Sequence, residues 1–197
     1  MSDEEKVVSW FEENYKSLIF GVIIGLTILF GYKSYLSSQN TLQLELSRQF
    51  DLAVTSYQNG DSSKILSFSR ENMNQNSDNV YTSLANLYSA KIMYLDNNID
   101  QSYIFLDHII ANTSDNGLID IAKYRKAKIL IEEMKYNQAN ELLGDDPDNY
   151  QHIELKGDIN YLQNNDDEAV RYYNKVLAFS ITPNEKKNII AKINLIK

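Results

Sequence analysis

Residues 155–177 read LKGDINYLQNNDDEAVRYYNKVL, in which a polar turn separates two amphipathic segments. Apolar side chains recur every three or four residues on each side of this turn, as expected for one face of an α-helix. Gly157 lies in the first segment and Ala169 in the second, and small residues let two helices approach closely. The stretch therefore predicts two short helices that fold back on each other as a hairpin.

The same arrangement occurs repeatedly from Thr41 onward. Aligning the polar turns places a small residue in each first segment, at Ala53, Ala90, Ala127 and Gly157, which are 37, 37 and 30 residues apart. The second segments align with the same spacings at Ile65, Ser102, Ala139 and Ala169. A repeat of this length built from paired helices is typical of an α-solenoid. The sequence therefore predicts an all-α domain of about four helical hairpins.

The last repeat is closest to the tetratricopeptide pattern. Gly157 stands at the small position of its first helix, Ala169 follows 12 residues later, Tyr173 takes the aromatic position and Val176 the last close contact. The first repeat keeps Ala53 and an NGD turn but little else of the pattern. The domain is therefore expected to be similar to tetratricopeptide repeats rather than a regular array of them.

A further helix is predicted at the C-terminus, in SITPNEKKNIIAKINLIK. Thr182 can cap its N-terminus, Pro183 suits the first turn, and Glu185 completes a capping box. Its predicted apolar face consists of Ile189, Ile190, Ile193 and Ile196. Such a face would cover the exposed end of a solenoid, so we expect a C-terminal capping helix.

Residues 17–32 read SLIFGVIIGLTILFGY, with Lys16 and Lys33 on either side. Extended to Leu36, the run has 20 residues, enough for a helix that spans a hydrocarbon core of about 30 Å. A buried helix of a soluble protein and a cleavable signal peptide are the alternatives. The first rarely is apolar on every side, and the second usually follows a basic leader, whereas this leader is acidic. We favour an uncleaved anchor.

We therefore divide the chain into a leader at 1–16, a transmembrane anchor at 17–36 and a helical repeat domain at 37–197. Lysine and arginine are almost evenly distributed around the anchor, so charge alone does not set its orientation. Gly21 and Gly25 form a GxxxG pattern, with Ser17 one step earlier, where another transmembrane helix could pack. Glycine is common in membrane helices, so a background occurrence is the alternative.

Composition argues against several functions. A net charge of −8 disfavours nucleic-acid binding, and the lack of cysteine excludes thiolate catalysis and cysteine-bound zinc. His108 and His152 have no second ligand at metal spacing, and GDDPDN at residues 144–149 lacks the spacing of an EF-hand and is better interpreted as a turn between hairpins. No P-loop, GxSxG or GxGxxG motif occurs. We expect no enzyme activity, no metal and no cofactor.

A helical solenoid offers instead a surface lined by its first helices. In the tetratricopeptide register, the positions three before, one after and four after the small residue face this groove. The predicted lining is Phe50, Tyr57, Leu87, Lys91, Tyr94, Tyr124, Lys128, Ile131 and Tyr161. The alternative for each residue is a place in the hydrophobic seam between repeats.

FEENYKSLIFGVIIG at residues 11–25 and KINLI at residues 192–196, together with the helical repeats, resemble the bacterial ancillary SecYEG translocon subunits of the YfgM type. The resemblance implies a single-pass inner-membrane protein with a cytosolic N-terminus and a periplasmic tetratricopeptide-like domain. It implies two partners, the SecYEG translocon and a membrane-anchored periplasmic chaperone of the PpiD class. It also implies a role in passing newly exported, unfolded proteins onward.

Two other functions remain open from the sequence. The anchor and repeats could form a scaffold that assembles an envelope or division complex without binding unfolded chains. The acidic leader could also act as a regulator that binds a cytosolic partner.

Overall fold

The computed structural model describes residues 3–196, with the side chains of residues 10, 14–16 and 20–196. This part of the chain forms nine α-helices and contains no strand. The helices are α1 (Asp3–Gln58), α2 (Ser63–Gln75), α3 (Val80–Leu95), α4 (Ile99–Asn112), α5 (Asn116–Glu132), α6 (Tyr136–Leu143), α7 (Tyr150–Leu162), α8 (Asp166–Leu177) and α9 (Pro183–Ile196). The all-α prediction is confirmed.

The chain divides into two compact units, Met1–Gln49 and Phe50–Lys197. Among the described residues, one helix, Asn14–Gln58, is long and apolar enough to cross a membrane. Its apolar side chains between Phe20 and Phe30 are exposed all around the helix. A helix that is apolar on every side is expected to lie in lipid rather than in water.

The second unit consists of four helical hairpins followed by α9. Its hairpins are the end of α1 with α2, α3 with α4, α5 with α6, and α7 with α8. Each second helix also contacts the first helix of the next hairpin, and α3 contacts α5 as α5 contacts α7. The first helices of hairpins two to four therefore lie side by side in one layer.

The residues aligned by the repeat spacing are buried. They are Ala53, Ala90, Ala127 and Gly157 on the first helices and Ile65, Ser102, Ala139 and Ala169 on the second helices. Ser102 Oγ donates to the Ala90 carbonyl at 2.9 Å, so the aligned positions of that hairpin touch. The predicted register of the helix pairs is confirmed.

The four turns within the hairpins have the same geometry. The residue at the same place in each turn has a positive φ: Gly60 at 91°, Asn97 at 58°, Met134 at 59° and Asn164 at 61°. In each turn the next N–H donates to a carbonyl five residues earlier, as in Asn98 to Met93 at 2.8 Å and Lys135 to Leu130 at 2.8 Å. This pattern is the Schellman motif, which ends a helix in the left-handed region. The turns repeat as regularly as the helices.

Met134 is the one member of this turn set that is neither glycine nor asparagine, and its side chain is 75% exposed. A left-handed conformation costs an ordinary L-residue about 1 kcal/mol and asparagine less. We expect Met134→Asn to raise the free energy of unfolding by about 0.5–1 kcal/mol, measured by urea denaturation of the full chain in detergent. Met134→Ala is the matched control and should bring no gain. Lower stability of Met134→Asn would contradict the strained-turn interpretation.

The capping helix α9 has the predicted N-terminus. Glu185 N–H donates to Thr182 Oγ1 at 3.3 Å, and Thr182 N–H donates to Glu185 Oε2 at 2.8 Å, which completes the capping box. Ile189 and Ile193 are buried against α7 and α8, and Ile196 is partly buried beside them. Ile190 was predicted on this face but is 41% exposed, because only part of the isoleucine stripe meets the end of the solenoid.

Both histidines hold neighbouring helices together. His108 Nε2 donates to the Met73 carbonyl at 2.7 Å, and its Nδ1 lies 3.0 Å from Asn86 Nδ2. His152 is buried and donates from Nε2 to the Asp120 carbonyl at 3.0 Å. These bonds connect α4 to α2 and α3, and α7 to α5.

The GDDPDN segment is a turn between hairpins, as predicted. It joins the end of α6 at Leu143 to the start of α7 at Tyr150. Lys156 is 2% exposed and donates from Nζ to the Gly144 carbonyl at 2.5 Å, which fixes the start of the turn. Asn149 accepts from Gln151 N–H and caps α7.

Candidate functional site

Two adjoining pockets lie along the layer of first helices. The α3–α5 pocket has a volume of about 240 Å³ and is lined by Ala90, Lys91, Tyr94, Ser102, Leu106, Arg125, Lys128, Ile129 and Glu132. The α5–α7 pocket has a volume of about 390 Å³ and is lined by Lys128, Ile131, Glu132, Leu155, Asp158, Tyr161, Leu162, Tyr173, Lys192 and Leu195. Because Lys128 and Glu132 belong to both, we treat the pair as one groove.

The α3–α5 pocket combines buried apolar residues with basic groups. Ala90, Leu106 and Ile129 are buried, whereas Lys91 and Lys128 are exposed. Lys128 Nζ also lies 5.7 Å from the centre of the Tyr124 ring, a distance that allows a cation–π contact. This pocket can therefore accept an apolar group with a negative charge beside it.

Arg125 is held in place by the neighbouring repeat. Its Nη1 donates to the Leu87 carbonyl of α3 at 3.0 Å. Burial lowers the pKa of Arg125, but a guanidinium remains protonated at neutral pH. The side chain thus contributes a fixed positive charge to the α3–α5 pocket.

Glu132 lies between the two pockets and is already engaged. Tyr94 Oη donates to Glu132 Oε2 at 2.5 Å, and this hydrogen bond raises the pKa of Tyr94. Among the described side chains, no carboxylate forms an ion pair with Lys91, Arg125 or Lys128. The positive charges of the α3–α5 pocket are therefore uncompensated at short range.

The α5–α7 pocket contains an ion-paired cluster at the end of the domain. Lys192 of α9 donates to Glu154 at 2.7 Å and to Asp158 at 2.6 Å, and Tyr173 Oη donates to Asp158 at 2.7 Å. Burial opposes the charge of Lys192, but its hydrogen bonds to the two carboxylates outweigh burial and raise its pKa. Besides Lys128 and Glu132, which it shares with the α3–α5 pocket, this pocket exposes apolar side chains, including Leu195, which is 77% exposed.

The tetratricopeptide repeat-like domain family matches residues 8–197. A protein of Buchnera aphidicola subsp. Schizaphis graminum (strain Sg) is 33% identical over 131 residues, which cover 64% of this chain and 67% of that protein. A protein of Escherichia coli (strain K12) is 30% identical over 131 residues, covering 65% and 61%. A protein of Buchnera aphidicola subsp. Acyrthosiphon pisum (strain APS) is 31% identical over 183 residues, covering 91% and 92%. Each is named "Ancillary SecYEG translocon subunit".

The chain belongs to the ancillary SecYEG translocon subunit family. Membership agrees with the resemblance carried by the membrane-proximal stretch and the repeats. No solved structure matches the chain. The repeat-like domain and the family indicate a non-catalytic adaptor role. The described residues include no group of three histidine or acidic side chains placed to hold a metal ion.

In this member of the ancillary translocon subunit family, five of the nine predicted groove residues line the two pockets. They are Lys91, Tyr94, Lys128, Ile131 and Tyr161. All of them lie one or four residues after the aligned small residue. Whether they contact a partner stays a prediction.

The other four predicted residues lie in aromatic or apolar packing. Leu87 is 7% exposed, and Tyr124 packs against the cluster around Leu130. Phe50 stacks near Phe68, Tyr81 and Tyr88 at 5.6–6.4 Å between ring centres, and Tyr57 meets Tyr88 edge-on at 5.3 Å. Three of these residues, Phe50, Leu87 and Tyr124, lie three positions before the aligned small residue. This position is almost one helical turn closer to the N-terminus than the small residue, and neighbouring helices cover it.

The sequence register missed several residues that line the pockets, and two of the missed positions recur in hairpins three and four. Arg125 and Leu155 lie two residues before the small residue, and Glu132 and Leu162 lie five residues after it. A helical wheel places these positions beside the predicted ones. Lys192 and Leu195 come from α9 and have no signal in the repeat spacing.

The packing residues of the proposed anchor can be located in part. Apart from their chain neighbours and the backbone of their own helix, Gly21 and Gly25 have no atom within 4 Å of the place where a Cβ would lie, so this side of the helix is open. Ser17 lies outside the residues whose side chains are described. The packing role of all three stays a prediction.

Proposed function

We propose that this chain is an accessory of the Sec translocon, anchored in the inner membrane and presenting its repeat domain to partner proteins in the periplasm. The main support for this proposal is the match over 91% of the chain to a relative named "Ancillary SecYEG translocon subunit". The exposed apolar helix within Asn14–Gln58 supports an anchor. The proposed division is a cytosolic leader at 1–16, an anchor at 17–36 and a periplasmic domain at 37–197.

The groove is the part of the domain proposed to bind partners. Its buried floor, exposed aromatic and aliphatic side chains and free cations are suited to side chains of an extended segment. A PpiD-class chaperone and unfolded exported proteins are the proposed partners beside SecYEG. In this role the domain assists the chaperone in receiving newly translocated chains.

Crosslinking in intact membranes tests the translocon proposal. Photo-crosslinkers placed in the groove at Tyr94 and Tyr161, followed by purification of the tagged full chain, should recover SecYEG subunits and a PpiD-class chaperone. A crosslinker at Lys64, on the exposed side of α2, is the matched control. Recovery of neither protein from any position would remove the proposal.

Orientation is tested separately with a reporter at the C-terminus that is active only in the periplasm. An active reporter is expected, together with resistance of the protein to carbonate extraction. A cytosolic C-terminus would contradict the export role even if the translocon were recovered.

The anchor is proposed to pack against a partner helix through Ser17, Gly21 and Gly25. Gly21→Leu with Gly25→Leu should reduce crosslinking to partner membrane helices while insertion is unchanged. Leucine at Thr27 and Gly31, elsewhere on the same helix, is the control pair. Equal crosslinking in both variants would mean that Gly21 and Gly25 have no specific role in helix packing.

A further inference from the structure

Three cations without an ion-pair partner line a single small pocket in an acidic protein. The chain has a net charge of −8, yet Lys91, Arg125 and Lys128 line the α3–α5 pocket with Glu132 as the one acidic lining residue. Glu132 accepts the hydroxyl of Tyr94 rather than a hydrogen bond from any of the three. The local charge is therefore opposite to that of the whole chain.

The two lysines occupy one place in the repeat. Lys91 and Lys128 each follow the aligned small residue by one position, in consecutive hairpins. The same position holds Val54 in the first hairpin and Asp158 in the last, where Asp158 accepts from Lys192 and Tyr173. The basic pair is thus confined to the two hairpins that form the α3–α5 pocket.

The α3–α5 pocket has room for an apolar side chain. Its volume is about 240 Å³. Its buried lining residues Ala90, Leu106 and Ile129 are apolar. Complementarity then requires a ligand that carries an apolar side chain and a carboxylate next to it.

We propose that the α3–α5 pocket binds an acidic segment of a partner protein, with an apolar side chain in the pocket and a neighbouring Asp or Glu carboxylate paired to Lys91, Lys128 and Arg125. This inference rests on the proposed partner-binding role of the groove and names the class of segment it takes. Steering by the cations makes binding weaken as salt concentration rises.

The test uses the full chain in phosphatidylcholine nanodiscs and a fluorescein-labelled peptide of alternating Glu and Leu. Fluorescence anisotropy should show binding that Lys91→Glu with Lys128→Glu weakens by roughly tenfold or more. The matched control is Lys64→Glu with Lys187→Glu, which makes the same change in net charge at exposed lysines outside both pockets. The control variant should bind the Glu peptide as the unmodified chain does. A second peptide with Gln in place of Glu should bind the unmodified chain weakly.

Three results would overturn the inference. An equal loss of peptide affinity in both charge variants would indicate non-specific electrostatic attraction. Equal affinity for the Gln and Glu peptides would show that the pocket does not recognise a carboxylate. Binding of phosphatidylglycerol vesicles that needs Lys91 and Lys128, without binding of the Glu peptide, would assign the pocket to a membrane surface. Because translocon crosslinking is measured independently, it can succeed while this inference fails.

Discussion

Replacing Gly157 with valine should destabilise the last hairpin strongly. A Cβ at this position would lie 2.5 Å from Tyr173 Cε1 and 2.7 Å from Cδ1. The ring cannot move aside cheaply, because Tyr173 is 1% exposed and its hydroxyl donates to Asp158 at 2.7 Å. Overpacking of this kind costs about 1–3 kcal/mol or more, so we expect a loss of that size in urea denaturation followed by far-ultraviolet circular dichroism.

A double-mutant cycle separates the clash from other effects of valine. Tyr173→Leu should itself destabilise the domain, since it removes a buried ring and a hydrogen bond. In the presence of Tyr173→Leu, however, Gly157→Val should cost less by about 1 kcal/mol or more, because the atoms it meets are gone. Additive losses would show that close approach to Tyr173 is not the reason for glycine at this position.

Much of the fold could be predicted because it depends on local and periodic signals. The aligned positions Ala90, Ala127 and Gly157 are all buried, and the polar turns all end in a left-handed residue. The capping box at Thr182 and Glu185 is also a local pattern. Met134 is an exception, because a methionine gives no sign of a positive φ and only alignment with Asn97 and Asn164 indicates it.

The candidate site was predicted less completely because it depends on how repeats stack. The direction in which a side chain leaves its helix follows from the sequence register, so the predicted residues Lys91, Tyr94 and Lys128 all line the same pocket. Height along the helix decides whether a neighbour covers a residue, and this buries Leu87. The docking of α9, which brings Lys192 to Asp158, is a tertiary contact between residues 34 apart that repeat spacing does not encode.

Truncating Ile189 to alanine should have a much larger effect than the same change at its neighbour Ile190. Ile189 is 1% exposed and packs in a cluster of Ile153, Ala169, Tyr173, Val176 and Ile193, whereas Ile190 is 41% exposed. A buried Ile→Ala change removes burial and leaves a cavity, at a cost of about 2–5 kcal/mol. Ile190→Ala should cost roughly 0.5 kcal/mol or less, as expected of surface substitutions.

The pair of variants also tests whether α9 caps the solenoid. Ile189 contacts residues of both α7 and α8. Truncating its side chain should therefore weaken the packing of the last hairpin first. Native-state hydrogen exchange should accelerate in α7, α8 and α9 before it does in α3 and α4. Ile190→Ala supplies the baseline for the same amides. Similar exchange in the two variants, or equal loss of stability, would mean that α9 does not cover the end of the domain through Ile189.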